Sequence, residues 1–322
     1  MDTSITVRSP QAIGRSFDPD VLVADWTAHQ AELVAAGEMA KSTATTYQNG
    51  MGKFMAWFAA QSDYKTIGPR SIRSWKASML RDGRAPSGVN THLAGVKSFF
   101  RWCVAEQRLA YDPSLTVKGA RGGGQRHKRD ALTDAEVLRL LVQPDTTTAI
   151  GKRDATLLHL MAYTGLRTIE CQRALIGDLH SNGHLQLAVY GKGHAEADDV
   201  VYLVKDELVA AIYDWLAVHP RGADPTAPLF CGLGHRNTGR RLALITLRVI
   251  VKSYYKSAGI RDPRKTTHSL RHTLVSNLIR HGVAPTKIMT VTRHRSLDTL
   301  IAYAHEIERD SDPAELYVNY GD

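Results

Sequence analysis

The chain has 322 residues, 43% of them apolar, with 41 Lys and Arg against 32 Asp and Glu and a formal net charge of +9. A chain of this size buries a substantial core and is expected to split into two domains, which excludes a largely disordered protein. It has no apolar run of roughly eighteen residues and no apolar centre in MDTSITVRSPQAIGRSF, so neither a membrane span nor a signal peptide is read, and the chain is expected to be soluble and cytoplasmic.

Charge is uneven along the chain. Residues 1–52 hold three Lys/Arg against six Asp/Glu, residues 53–129 hold fifteen against four, and residues 130–322 hold twenty-three against twenty-two. A segment with that excess favours a polyanion, and DNA, whose phosphates release counterions to Lys and Arg, is the natural candidate, although charge alone also fits a solvated, solubilising surface. Cys103, Cys171 and Cys231 stand far apart with no CxxC and no Cys/His ligand spacing, so they read as reduced packing residues and not as a disulfide framework or a zinc site.

Residues 1–17 read as a flexible N-terminal stretch. Residues 18–117 read as a helical DNA-binding domain, with about four helices over 18–109. Asp18, Pro19 and Asp20 form a helix start that Gly37 ends. A second helix from near Ser42 carries Tyr47, Met51, Phe54, Met55 and Phe58 at three- and four-residue steps, a core stripe. A third covers Pro69 to Arg81 and a fourth Ser87 to Gln107. These two interleave Arg70, Arg73, Lys76, Arg81, Arg84, Lys97 and Arg101 with Ile72, Trp75, Leu93, Val96, Phe99 and Phe100, giving each an apolar side and a cationic side suited to a duplex.

KGARGGGQRHKR, residues 118–129, holds three consecutive glycines and five Lys/Arg and reads as a basic linker that tethers and also follows a phosphate backbone through Arg121, Arg126, Lys128 and Arg129. A second domain, 130–305, opens on a capping box between Thr133 and Glu136, with Leu132 placed to staple onto Val137. Helical pattern runs from Ala155 to Tyr163. LQLAVYGKG (185–193) and DDVVYLV (198–204) read as a hairpin, and helix-like stretches follow near 206–217, 241–257, 269–281 and 285–291. The fold class is therefore mainly α with a small β-hairpin or sheet.

Within TGLRTIECQ (164–172), Arg167 falls in the first turn of a helix with Glu170 one helical step on. The guanidinium can fork onto phosphate oxygens and the carboxylate can orient it, although the segment taken alone reads better as a surface ion pair. Gly191 and Gly193 suit a tight turn with Lys192 at its tip, where an ammonium can protonate a departing oxygen. In THSLRHTLVSNLI (267–279), His268 and Arg271 lie one turn apart on one helix, His268 able to exchange a proton and Arg271 to clamp phosphate, while His272 reads as structural. In RHRSLDTLIAYAHE (293–306), Tyr303 follows His294 by nine residues. A phenol with a pKa of about 10 is a poor nucleophile until cations favour its phenolate. Cationic donors gathered around a phenol suit attack on a phosphodiester without a metal or other cofactor. Tyr317 and Tyr320 are rival nucleophiles.

TGLRTIE, GKG, HSLRH and the stretch from His294 to Tyr303 with Ala304 and His305 resemble the signature of the tyrosine recombinases of the phage integrase family. The likeness takes in residues 18–109, similar to that family's helical core-binding domain, and 130–305, similar to its catalytic domain. It is to the two-domain type, with no room before residue 18 for an arm-binding domain. Two departures stand out: Thr292 and Arg293 replace the usual Leu-Gly before the histidine, and Cys171 replaces a common leucine. Arg293 reads either as an added DNA contact or as a change in how the turn packs.

The resemblance implies a site-specific DNA recombinase acting through a 3′-phosphotyrosyl intermediate, with Tyr303 as nucleophile, Arg167 and Arg271 as phosphate clamps, Lys192 as general acid, and His268 and His294 assisting. It implies double-stranded recombination sites as partner, four protomers on two duplexes exchanging strands through a Holliday junction, and room for accessory DNA-bending factors. Residues 306–322 read as a tail that docks on a neighbouring protomer or folds back on its own domain. Two other readings stay open: a type IB-like topoisomerase with the same chemistry, and a DNA-binding regulator that keeps the fold without cleavage.

Overall fold

A computed structural model describes residues 19–63, 66–122, 131–190, 197, 199–293, 297 and 300. The expected N-terminal stretch, Arg126, Lys128, Arg129, Lys192, His294, Tyr303 and the C-terminal tail lie outside them. The chain divides into two compact units, Met1–Gly124 and Gln125–Asp322.

In the first unit, α1 (Pro19–Ala35), α2 (Lys41–Ala59), α3 (Pro69–Arg81) and α4 (Pro86–Ala105) pack around one aromatic core. Gly37 takes a left-handed φ of 77° past the end of α1, a conformation that a side chain would strain. Proline opens α3 and α4, where its missing N–H goes unneeded. The periodic stripe of α2 turns inward: Met51, Phe54 and Phe58 are buried, and Tyr47 and Met55 pack against the same core. Ile72, Trp75, Leu93, Val96, Phe99 and Phe100 join them from α3 and α4. Phe54 meets Trp75 edge to face at 5.2 Å, and Trp26 meets Phe99 likewise at 5.6 Å. Helices α2 and α4 approach backbone to backbone, because a Cβ on Gly95 would collide with the Tyr47 carbonyl and one on Gly50 with the His92 carbonyl.

The second unit begins on the capping box: Glu136 N–H donates to Thr133 Oγ1 at 3.2 Å, and Thr133 N–H donates to Glu136 Oε2 at 2.8 Å. Its elements are α5 (Asp134–Leu141), α6 (Ala149–Thr164), α7 (Thr168–Arg173), β1 (Leu179–Asn182), β2 (His184–Val189), β3 (Asp199–Leu203), α8 (Asp206–Leu216), α9 (Leu244–Ser257), α10 (Thr267–Arg280) and α11 (Pro285–Thr292). The expected hairpin is the β2–β3 pair, and β1 extends it to a three-stranded antiparallel sheet in the order β1-β2-β3, with Leu187 opposite both Leu179 and Val201. Helix α6 starts earlier than its apolar pattern, at a Thr148 cap whose Oγ1 accepts the Gly151 N–H at 3.0 Å.

Leu157, Leu158, Leu160, Leu187, Val201, Ile212, Trp215, Val251 and Leu270 lie in the core of this unit. A polar seam crosses it: Arg153 Nε donates to Asp154 Oδ1 at 2.8 Å, and the Tyr254 hydroxyl donates to Asp154 Oδ2 at 3.1 Å. Burial first, then the Asp154 carboxylate, pushes the Tyr254 phenol up to about 12. All three cysteines are free and buried, and burial pushes the Cys103 thiol up to about 12. No helix among the described residues is long and apolar enough to cross a membrane.

Candidate active site

Three elements of the second unit meet at one cationic cluster: the end of α6, the start of α7 and the first turns of α10. Helix α6 stops at Gly165, whose φ of 62° turns the chain left-handed and whose N–H caps the Met161 carbonyl at 3.1 Å. Two residues later Arg167 caps α7. It stands just outside the helix, not within the first turn as its spacing implied, because its backbone N–H donates to Glu170 Oε2 at 2.7 Å while its Nη1 donates to Glu170 Oε1 at 2.8 Å. One carboxylate thus fixes both the backbone and the side chain of Arg167.

Glu170 is no surface ion-pair partner. It is 4% exposed. Burial pushes its carboxyl upward, but Arg293 first and then the hydrogen bonds and charge of Arg167 outweigh that and hold it below the usual carboxylate range. Arg293 Nη2 reaches the same Oε2 at 3.0 Å, although it lies 123 residues further along the chain. Periodicity carries no trace of this contact; the departure at Arg293 from the family's pattern was its one signal.

Arg271, on the buried face of α10, is 6% exposed and donates from Nη1 to the Gly165 carbonyl at 2.9 Å. Its Nη2 is buried and has no hydrogen-bond partner among the described residues. Burial, followed by repulsion from Arg167 and Arg293, pulls its guanidinium down to about 9. A guanidinium stays charged at neutral pH, so that depression reflects the cost of burying it first and of its cationic neighbours second, both of which an anion would offset. The Thr168 hydroxyl donates to Thr267 Oγ1 at 3.1 Å, tying α7 to the first turn of α10. His268 is half-buried in that turn, its N–H donating to the cap Thr266 Oγ1 at 3.3 Å.

Arg167, Glu170 and Arg271 are therefore brought together, with His268 and Arg271 on one helix. Lys192, His294 and Tyr303 lie outside the described residues. The chemistry available to the described cluster is anion clamping: three guanidinium groups face one carboxylate, so a phosphate oxygen finds fork-shaped donors and a net positive field. Among the described residues no three His, Cys, Asp or Glu side chains converge to hold a metal ion.

In the first unit, Arg70, Arg73 and Arg101 are exposed and Lys76 and Lys97 half-buried, on α3 and α4, with Arg121 exposed beyond them. Arg73 Nη2 also donates to Thr116 Oγ1 at 3.1 Å, and Lys76 Nζ to the Lys118 carbonyl at 3.0 Å, so these two cations brace the segment leaving the helical unit.

Residues 130–309 match the model of the phage integrase family, and residues 27–107 match that of the phage integrase N-terminal SAM-like domain. The tyrosine recombinase XerD of Lacticaseibacillus casei is 28% identical over 280 residues, covering 83% of this chain and 88% of that protein. XerD of Pseudomonas putida is 28% identical over 273 residues, covering 83% and 87%. Among solved structures, XerH site-specific recombinase bound to palindromic difH substrate in a post-cleavage complex superposes with a TM-score of 0.70 at 21% identity, covering 84% of this chain and 78% of that one. A lambda integrase dimer bound to a COC′ core site gives 0.65 at 14% identity, covering 96% and 85%. These two likenesses are of fold.

Proposed function

This chain belongs to the phage integrase family, and we propose that it is a site-specific DNA recombinase that breaks and rejoins duplex DNA through Tyr303. The observation that carries the reading is the Arg167–Glu170–Arg271 cluster, an oriented pair of guanidinium groups with an unmet N–H and unrelieved repulsion. Such a cluster binds a phosphodiester and stabilises the charge that grows on its oxygens during attack. The names of the XerD relatives support the same activity.

In the proposed reaction the Tyr303 hydroxyl attacks the scissile phosphorus. The bond from phosphorus to the 5′ oxygen breaks, that oxygen takes a proton from Lys192, and the products are a 3′-phosphotyrosyl linkage and a free 5′-hydroxyl. His268 and His294 assist the proton transfers and hold phosphate oxygens. Since the covalent linkage keeps the energy of the broken bond, a 5′-hydroxyl from a second duplex reverses the step and joins the strands without a nucleotide cofactor. Arg70, Arg73, Lys76, Lys97 and Arg101 on the helical unit, with Arg121, Arg126, Lys128 and Arg129 on the linker, hold the DNA backbone. Four protomers on two duplexes, exchanging strands in pairs through a Holliday junction, complete the scheme, and the protein works in the cytoplasm.

The test is a joining assay. Duplexes selected from random DNA for binding to the chain are supplied in pairs, and exchange products with the flanks of both parents are sought. Products that require a selected site in each duplex are expected. Relaxation of any supercoiled plasmid without joining would identify a topoisomerase, and binding without strand breakage a regulator.

A further inference from the structure

Arg293 follows α11 with its backbone in the left-handed region, at φ 55° and ψ 43°. A side chain is strained there and glycine is the usual occupant. The arginine nonetheless turns inward. Its side chain is 9% exposed and donates from Nη2 to Glu170 Oε2 at 3.0 Å, while Nη1 donates to the Val291 carbonyl at 2.8 Å. Its Nε is buried with no acceptor among the described residues, as is Nη2 of Arg271. Glycine at 293 would remove both the strain and the unmet N–H, at the loss of the Nη1 bond to the Val291 carbonyl.

What the arginine does is divide the carboxylate of Glu170. Oε1 serves the Arg167 guanidinium at 2.8 Å, and Oε2 accepts the Arg167 backbone N–H at 2.7 Å and Arg293 at 3.0 Å. Removing Arg293 strips from Oε2 the one side-chain donor it has among the described residues, which leaves Arg167 as the partner described for the carboxylate.

We infer that Arg293 is a positioning residue for strand cleavage: it holds the Glu170 oxygen that also accepts the Arg167 backbone N–H, and through Glu170 it fixes the fork that Arg167 offers to the scissile phosphate. The inference rests on the recombinase reading. The Nε of Arg293 and the Nη2 of Arg271, both without a partner among the described residues, suit a site completed by an anionic ligand, whose oxygens offset the cost of the crowded cations.

The experiment uses the full-length chain and a nicked suicide duplex bearing a selected site, with single-turnover cleavage and DNA affinity measured for wild type, Arg293→Gly, Glu170→Gln and the double variant. Arg293→Gly should slow cleavage at saturating protein about tenfold or more, with affinity for the site within about threefold of wild type. In the Glu170→Gln background the same glycine substitution should cost less than about threefold, because the route through the carboxylate is already cut. Cleavage is compared under conditions where circular dichroism shows Arg293→Gly fully folded, which separates a loss of positioning from a loss of folding. If Arg293→Gly cleaves as fast as wild type, or is slowed equally in both backgrounds, the inference is overturned. Absence of cleavage by wild type itself would overturn the recombinase reading and this inference with it, a distinguishable result.

Discussion

Arg271 Nη1 donates to the Gly165 carbonyl at 2.9 Å, so α10 is tied to the left-handed turn that lies two residues ahead of Arg167. This hydrogen bond, with that of Thr168 to Thr267, therefore helps to set the separation of two candidate phosphate clamps. Arg271→Lys keeps the charge but loses the fork, and cannot hold the carbonyl and a phosphate in the same geometry. Single-turnover cleavage of a suicide substrate should fall by about 10²–10³, with DNA affinity little changed.

Gly165→Ala tests the turn itself. At φ 62° an added Cβ is strained and would stand 3.0 Å from Leu274 Cδ2. A loss of about 1–2 kcal/mol in urea unfolding is expected, together with slower cleavage, since Arg167 and Arg271 shift with the turn.

Glu170 gives a pH signature. Its folded carboxyl lies below its ordinary range because Arg293 and Arg167 outweigh burial. The stabilisation it adds is then fully present above the ordinary pKa of roughly 4.3 and is lost as pH falls through the lower folded value. Glu170→Gln should cost about 3 kcal/mol at pH 7. Urea titrations at falling pH should show the gap between wild type and Glu170→Gln constant near neutrality and shrinking below about pH 4.

The close approach of α2 and α4 makes a separate prediction for the helical unit. Gly95→Ala drives a methyl into the Tyr47 carbonyl, backbone that cannot swing aside. Destabilisation of about 1–3 kcal/mol is expected from chemical unfolding of the helical unit.

Exposed cations on α3 and α4 should act on DNA through phosphate alone. Arg101→Ala should reduce the slope of log affinity against log salt by about 0.9, while single-turnover cleavage at saturating protein stays unchanged. An altered site preference in place of an altered slope would make Arg101 a base-reading residue.

Much of this was legible from residue order. Prolines at Pro69 and Pro86 and the stripe from Tyr47 to Phe58 locate helices because local sterics and apolar spacing decide them. Strand β1 was missed because LHSN is short, largely exposed and without alternation; it is a strand by virtue of its β2 partner. The Gly50 and Gly95 contacts depend on which helices cross, and the sharing of Glu170 by Arg167 and Arg293 depends on a fold that brings together residues 123 positions apart. Local rules do not carry such information. Arg167 stands at the cap and not in the first turn for a local reason: the carboxylate of Glu170, three residues on, accepts its backbone N–H, as Glu136 does for Thr133.

The central claim is that Tyr303 takes a broken strand end onto its own hydroxyl. A radiolabelled suicide duplex, incubated with the full-length chain and resolved on denaturing gels, measures this directly. Wild type and Tyr317→Phe should retain label as a protein–DNA adduct joined through the 3′ phosphate, and Tyr303→Phe should retain none. An adduct that persists in Tyr303→Phe, or one joined through a 5′ phosphate, would contradict the claim.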